Sequence, residues 1–164
     1  MCVADGHVIS IYVSSRAGAP MRPRDQVEAV PRRGLEGDRY FAGPGGFLAG
    51  ATPGREVTEL TLIEAEVIEH LQGDLGIEVE AADSRRNIVT RGVSLNSFVG
   101  SEFRIGQVRL VGAGLCEPCV SLVKHTANKH LLRGLAHRGG LRARILTRGT
   151  IAVGDSVVEV SSPR

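Results

Sequence analysis

Only one stretch of this 164-residue chain carries helical periodicity, and that scarcity constrains the fold more than any other feature. The stretch is TLIEAEVIEHL, residues 61–71. Within it Ile63, Val67, Ile68 and Leu71 share one face, while Glu64, Glu66 and Glu69 face outward as a solvated side. Thr61 followed by Glu64 has the capping-box spacing, and Gly73 supplies a C-terminal stop. The remaining apolar residues fall in short β-branched runs, which read as strands over residues 7–15, 26–30, 86–93 and 107–115. Two or three more strands close the chain from Arg142 onward, with Gly154 and Asp155 as a turn. SLNSFVGSEFRIG reads as a turn-rich connection, and HTANKHLLRGLAHRGGL as one or two helical turns around Leu131, Leu132 and Leu135.

Strands that outnumber helices without regular βαβ alternation argue against a doubly wound parallel sheet. Closing the strands on themselves removes exposed edges. The expected fold is therefore mainly β, a closed or partly closed barrel with a few short helices, as one domain over residues 1–164. The 21 glycines suit tight turns between short strands. With no Trp and 4% aromatics, Val, Ile and Leu must fill the core.

A formal net charge of +2 gives no whole-molecule field toward nucleic acid. Most local arginine clusters, including Arg138, Arg142 and Arg144, read as solvated surface. No run approaches the ~20 apolar residues of a membrane span, and the N-terminus lacks a charged leader. The expectation is a cytoplasmic protein with a small-molecule substrate and neither nucleic acid nor membrane as partner. The glycine-rich residues 43–54 read as a surface loop or lid.

Chemistry concentrates in GLCEPCVSLVKHT, residues 114–126, where a strand gives way to the start of a helix. Three cysteines, Cys2, Cys116 and Cys119, are not the framework of a disulfide-stapled secreted domain. The pair Cys116 and Cys119 has several readings. A redox dithiol of thioredoxin type needs a βαβ setting that the pattern lacks. Structural zinc finds His125 and His130 downstream, but Cys119 and His125 are too close for the zinc-finger spacing. A reactive thiolate with a second thiol beside it suits the position, because arginines or a helix N-terminus lower a thiol pKa. Two small buried hydrophobes remain the bland alternative. Upstream, Arg85, Arg86 and Asn87 offer guanidinium forks and an amide for an anion.

As a set and in order, several segments resemble the MOSC domain, named for the C-terminal part of molybdenum cofactor sulfurases. They are GLEGDRY, the LTLIEAEVIEHL segment, RRNIVTRGVSLNSFVGSEFRIGQVRL, the cysteine stretch and RGGLRARILTRGTIAVGDSV. The resemblance covers nearly the whole chain. It implies a barrel-like fold and a site in which Cys119 carries sulfur or ligates molybdenum of the pterin cofactor, with Cys116 as accessory thiol. It also implies cofactor-binding roles for Arg85, Arg86 and Asn87, and for Asp38 and Arg39 of GLEGDRY. The implied activity is sulfur transfer, or reduction of N-hydroxylated compounds, with a cysteine desulfurase or a molybdoenzyme as partner. The alternatives are a non-catalytic module for a small anion or partner, and structural zinc at Cys116 and Cys119. Two departures stand out. Pro118 occupies a place where relatives tend to have Arg, and 164 residues do not accommodate the extra N-terminal β domain of cofactor-dependent reductases. Pyridoxal phosphate, bound by the desulfurase domain of full sulfurases, is a family-level association only.

Overall fold

The computed structural model describes residues 6–16, 18–41, 58–116 and 133–160. The strands are β1 (Gly6–Val13), β2 (Arg22–Arg24), β3 (Gln26–Val30), β4 (Gly34–Leu35), β5 (Leu60–Glu64) and β6 (Ile88–Arg91). They continue as β7 (Glu102–Ile105), β8 (Val108–Leu115), β9 (Leu141–Ile145), β10 (Gly149–Ala152) and β11 (Ser156–Glu159). One α-helix, α1 (Ala65–Gly73), and 3-10 turns at Arg39–Phe41, Ala81–Ser84 and Leu95–Phe98 complete the described elements.

Seven strands run in the order β11–β7–β8–β9–β5–β6–β1, and β1 then pairs with β11 through Gly6↔Val157 and His7↔Ser156. The fold is thus a closed β-barrel, as the strand pattern led one to expect. β2 adds to β1, and β10, β3 and β4 form a separate three-stranded sheet. The barrel interior is aliphatic: Val8, Ile11, Leu60, Leu62, Ile88, Ile105, Leu110 and Leu141 cluster there with Phe103. Each such side chain contributes about 1.5–3 kcal/mol when buried.

The helix expected over 61–71 exists, but it begins later. Residues 60–64 are strand, and α1 starts at Ala65 with Glu64 as an N-cap that makes no side-chain capping bond. LTLIE is buried almost throughout because both faces are covered. Leu60 and Leu62 face the barrel, whereas Ile63 joins Ile68 and Leu71 of α1 in a second cluster with Val79, Val89 and Leu135. Such two-sided burial belongs to a parallel pair, and β5–β6 is one, in the register Leu62↔Ile88. β5, α1 and β6 therefore form a single βαβ unit inside an otherwise antiparallel barrel. Period-2 burial passes into helical period at Ala65, and a window spanning both reads as one helix.

A further difference lies in the connection after Ser94. It contains β7, which pairs with β8 through Phe103↔Leu110 across a turn at Gly106 and Gln107. Alternation over only four residues is too short to separate from turn composition.

Candidate functional site

The arginine-rich site is assembled from four places in the chain. Ser14 follows β1. Asp38 precedes, and Arg39 and Tyr40 belong to, the 3-10 turn after β4. Arg85 and Arg86 lie between the Ala81–Ser84 turn and β6. Cys116 ends β8. The shortness of these connections is what brings the groups to one end of the strands.

Asp38 is the organising anion, only 4% exposed. One carboxylate oxygen accepts from the Ser14 backbone N–H at 2.9 Å and from the Arg39 guanidinium at 3.3 Å. The other accepts from the Tyr40 backbone N–H at 3.4 Å. Arg39 is itself buried and donates to the Arg85 carbonyl at 3.1 Å and to the Tyr40 hydroxyl at 3.5 Å. Its guanidinium carbon lies 4.6 Å from the centroid of the Tyr40 ring, a cation–π contact.

Arg85 adopts a left-handed backbone, φ 59°, capping the preceding turn. That conformation is costly for a side chain with a Cβ and turns the two neighbouring arginines apart. The Arg85 side chain reaches the Ser14 hydroxyl at 3.5 Å. Its pKa is lowered by burial and then by the like charge of Arg39, with Asp38 and Tyr40 opposing.

Arg86, buried, runs the other way. Its Nε donates to the Gly139 carbonyl at 2.7 Å, and a terminal nitrogen donates to the Cys116 carbonyl at 3.2 Å. The Cys116 backbone N–H donates to the Gly140 carbonyl at 2.7 Å, and Arg142 Nε donates to the Leu115 carbonyl at 3.2 Å. The end of β8 is thus pinned on three sides. Gly140 has φ +110° and lies against the Leu62 carbonyl, with which a Cβ would collide, so no other residue fits there. Tyr40 couples electrostatically to this group. Burial raises its pKa first; Arg39 and Arg86 oppose, and Cys116 and Asp38 reinforce.

Of Arg39, Arg85, Arg86 and Arg142, Arg39 alone makes an ion pair among the described residues, with Asp38. Carbonyl oxygens satisfy many of the donors but do not neutralise the charge. Cations withdrawn from water without counter-charge are expensive, by several kcal/mol each. The arrangement is suited to an anion.

Of the residues singled out by sequence, Asp38, Arg39, Arg85, Arg86 and Cys116 share this region. Asn87 lies next to it but points into the wall, fully buried. Its amide oxygen accepts from Thr61 N–H at 3.0 Å and from the Thr61 hydroxyl at 3.2 Å, and its amide nitrogen donates to the Tyr12 carbonyl at 3.1 Å. Asn87 is thus a strut between β1 and β5. Cys119 lies outside the described residues, as do Cys2, His125, His130 and the loop 43–54, so the zinc and lid readings fall there too. Among the described residues no group of three or more His, Cys, Asp or Glu could hold a metal ion, and no helix is long and apolar enough to cross a membrane. Sequence reasoning missed Ser14, Tyr40 and Arg142. Tyr40 had a signal, since it ends the same GLEGDRY motif; Ser14 and Arg142 had none.

The family model described as MOSC domain matches residues 52–158. Comparison with curated proteins finds no match. Among solved structures, the chain resembles the YuaD protein from Bacillus subtilis with a TM-score of 0.77 at 16% identity, covering 96% of this chain and 97% of that one. It resembles YiiM from Geobacillus stearothermophilus at 0.68 and 17%, covering 95% and 75% respectively. For YiiM from Escherichia coli the values are 0.66 and 16%, covering 96% and 71%. At such identities the likeness is one of fold.

Proposed function

The chain belongs to the MOSC-domain family, and from that premise we propose that it serves molybdenum-cofactor chemistry, holding an anionic group in its arginine cluster beside a reactive thiol. The observation that carries this reading is the cluster itself: buried Arg39 on the Asp38 carboxylate, Arg85 tied to Arg39, and buried Arg86 on the backbone of Cys116. The donor set fits the phosphate of a pterin cofactor. Guanidinium forks bind phosphate oxygens in pairs, and excess positive charge offsets the ligand's negative charge. Arg85, less buried than its neighbours, is the direct contact, with Arg39 behind it. Asp38 orients Arg39, and Asn87 holds the strands that carry the site. When bound, the molybdenum cofactor supplies two-electron redox chemistry at its metal, which includes reduction of N-hydroxylated compounds.

Cys119 is the primary thiol of the proposal, as molybdenum ligand or sulfur carrier. As carrier, its thiolate attacks the outer sulfur of a donor persulfide; a new S–S bond forms and the donor leaves as thiolate. Cys116 then attacks the inner sulfur of the Cys119 persulfide, forming a Cys116–Cys119 disulfide and releasing hydrosulfide. An external thiol reductant restores the pair. Arginines beside Cys116 favour its thiolate. A cysteine desulfurase as donor and a molybdoenzyme as acceptor are the partners this reading requires.

Mass and metal analysis of freshly purified protein separates the branches. The carrier branch expects a one-sulfur increment on Cys119, and the ligand branch expects bound molybdopterin; both are lost in Cys119→Ala. If Cys119→Ala leaves sulfur uptake and molybdopterin content unchanged, the thiol proposal fails. A second reading, an anion-binding module without chemistry, is favoured by the buried arginine donors, which would hold an anion whether or not a thiol reacts. It predicts that Cys119→Ser keeps ligand affinity while Arg85→Ala abolishes it.

A further inference from the structure

A concave site lies away from the arginine cluster, between the end of α1 and the segment 133–138. Its volume is about 700 Å³, within the range of small-molecule sites. Leu75 and Ile77 give it an apolar side, and Leu75 is 50% exposed, unusual for so large an apolar side chain on a structured turn. Arg133 and Arg138 line it from the facing segment, and His70 and Glu78 also belong to its lining. The shape of the cleft follows from Gly134. A Cβ there would stand 2.5 Å from Leu71 Cδ2 and 3.3 Å from Ile77 Cδ1, so the segment rests directly on the α1 cluster and leaves its arginines beside the cleft.

The charges are unevenly matched. His70 is already held by Asp74 at 2.5 Å. Arg133 and Arg138 make no ion pair and no side-chain hydrogen bond among the described residues. Their donors border a partly apolar cavity that excludes water from one side of any ligand, which strengthens a charge-assisted hydrogen bond. The same segment continues into Gly139 and Gly140, whose carbonyls hold Arg86 and Cys116.

We propose that this cleft is a second ligand site, separate from the arginine cluster, for a small organic anion: a carboxylate or phosphate ester on an apolar body. Arg133 and Arg138 take the anionic head, and Leu75 and Ile77 take the body. Glu78 in the lining disfavours ligands charged negatively at both ends. The chemistry is shared by carboxylates and phosphate esters, and two probes distinguish them.

Phenylacetate and phenyl phosphate are titrated separately into the full chain by calorimetry. The same is done with the double variant Arg133→Ala and Arg138→Ala, with Leu75→Glu, and with Arg85→Ala. All of these except Arg85 are exposed positions, where substitution spares the core. At least one probe is expected to bind the unmodified chain, with affinity reduced about tenfold or more in the double variant and in Leu75→Glu. Arg85→Ala is expected to leave that binding unchanged, and the tighter probe identifies the head group. Because the arginine cluster offers phenyl phosphate a site of its own, the double variant and Leu75→Glu are also titrated in the Arg85→Ala background. The proposal is overturned if neither probe binds Arg85→Ala or if the binding that Arg85→Ala retains survives the loss of Arg133 and Arg138.

Discussion

The guanidinium of Arg39 donates to the backbone carbonyl of Arg85 at 3.1 Å, tying two cations 46 residues apart in sequence to one another. Like charges do not gather without a reason. Here Asp38 fixes Arg39, and Arg39 fixes the turn on which Arg85 stands.

Phosphate should therefore stabilise the protein. A ligand that binds only the folded state adds about 2.7 kcal/mol at a hundredfold excess over its dissociation constant, and raises Tm by several degrees. Thermal melting with and without inorganic phosphate is expected to show this shift in the unmodified chain and not in Arg85→Ala. An equal shift in both proteins would place phosphate elsewhere.

Asp38→Asn removes the one carboxylate of the cluster while keeping its size. Breaking a buried ion pair by losing one partner costs on the order of 3–5 kcal/mol. Urea denaturation should show a loss of that size. Phosphate should recover part of it by supplying the missing negative charge; a loss below about 1 kcal/mol would mean that water already screens the cluster.

Asn87→Ala should act on stability rather than on affinity. It strands the Thr61 N–H and hydroxyl and the Tyr12 carbonyl in the barrel wall, at about 1–3 kcal/mol for each group left unsatisfied. The urea midpoint is expected to fall, with phosphate affinity retained in the folded fraction. Loss of affinity without loss of stability would instead make Asn87 a ligand contact.

Glu59 gives the chain a distinctive pH dependence. The residue is 3% exposed, and one carboxylate oxygen accepts from the Ile145 N–H at 3.0 Å while the other makes no hydrogen bond of good geometry among the described residues. Burial raises its pKa, opposed by the Ile145 and Arg32 backbone N–H groups and by the charges of Arg144 and Arg32. The folded state thus holds this proton more tightly than the unfolded state. Its contribution is fully present below the unfolded carboxylate value and is lost as pH rises through the higher folded value. Glu59→Gln removes that dependence, so its stability relative to the unmodified chain should grow from acid toward neutral pH. Urea midpoints measured across that range check it, and a difference independent of pH would refute it.

The mainly-β barrel was legible in the chain because alternating apolar runs and glycine turns act locally, each over a few residues. The same is true of the GLEGDRY turn and of the arginines before β6, whose chemistry is visible in residue type alone. What local pattern could not show is where a period changes. LTLIEAEVIEHL is strand and then helix, because β5 needs both faces covered while α1 needs only one. Nor could it show direction. Arg85 and Arg86 are neighbours, but the left-handed backbone at Arg85 sends one toward Ser14 and the other toward Cys116. Asn87, next in line, turns into the wall to hold Thr61. Sequence alone thus determined most of the strands, their turns and which cations were at hand. The tertiary structure decided which of those cations converge, because barrel closure, unlike strand formation, depends on residues far apart in the chain.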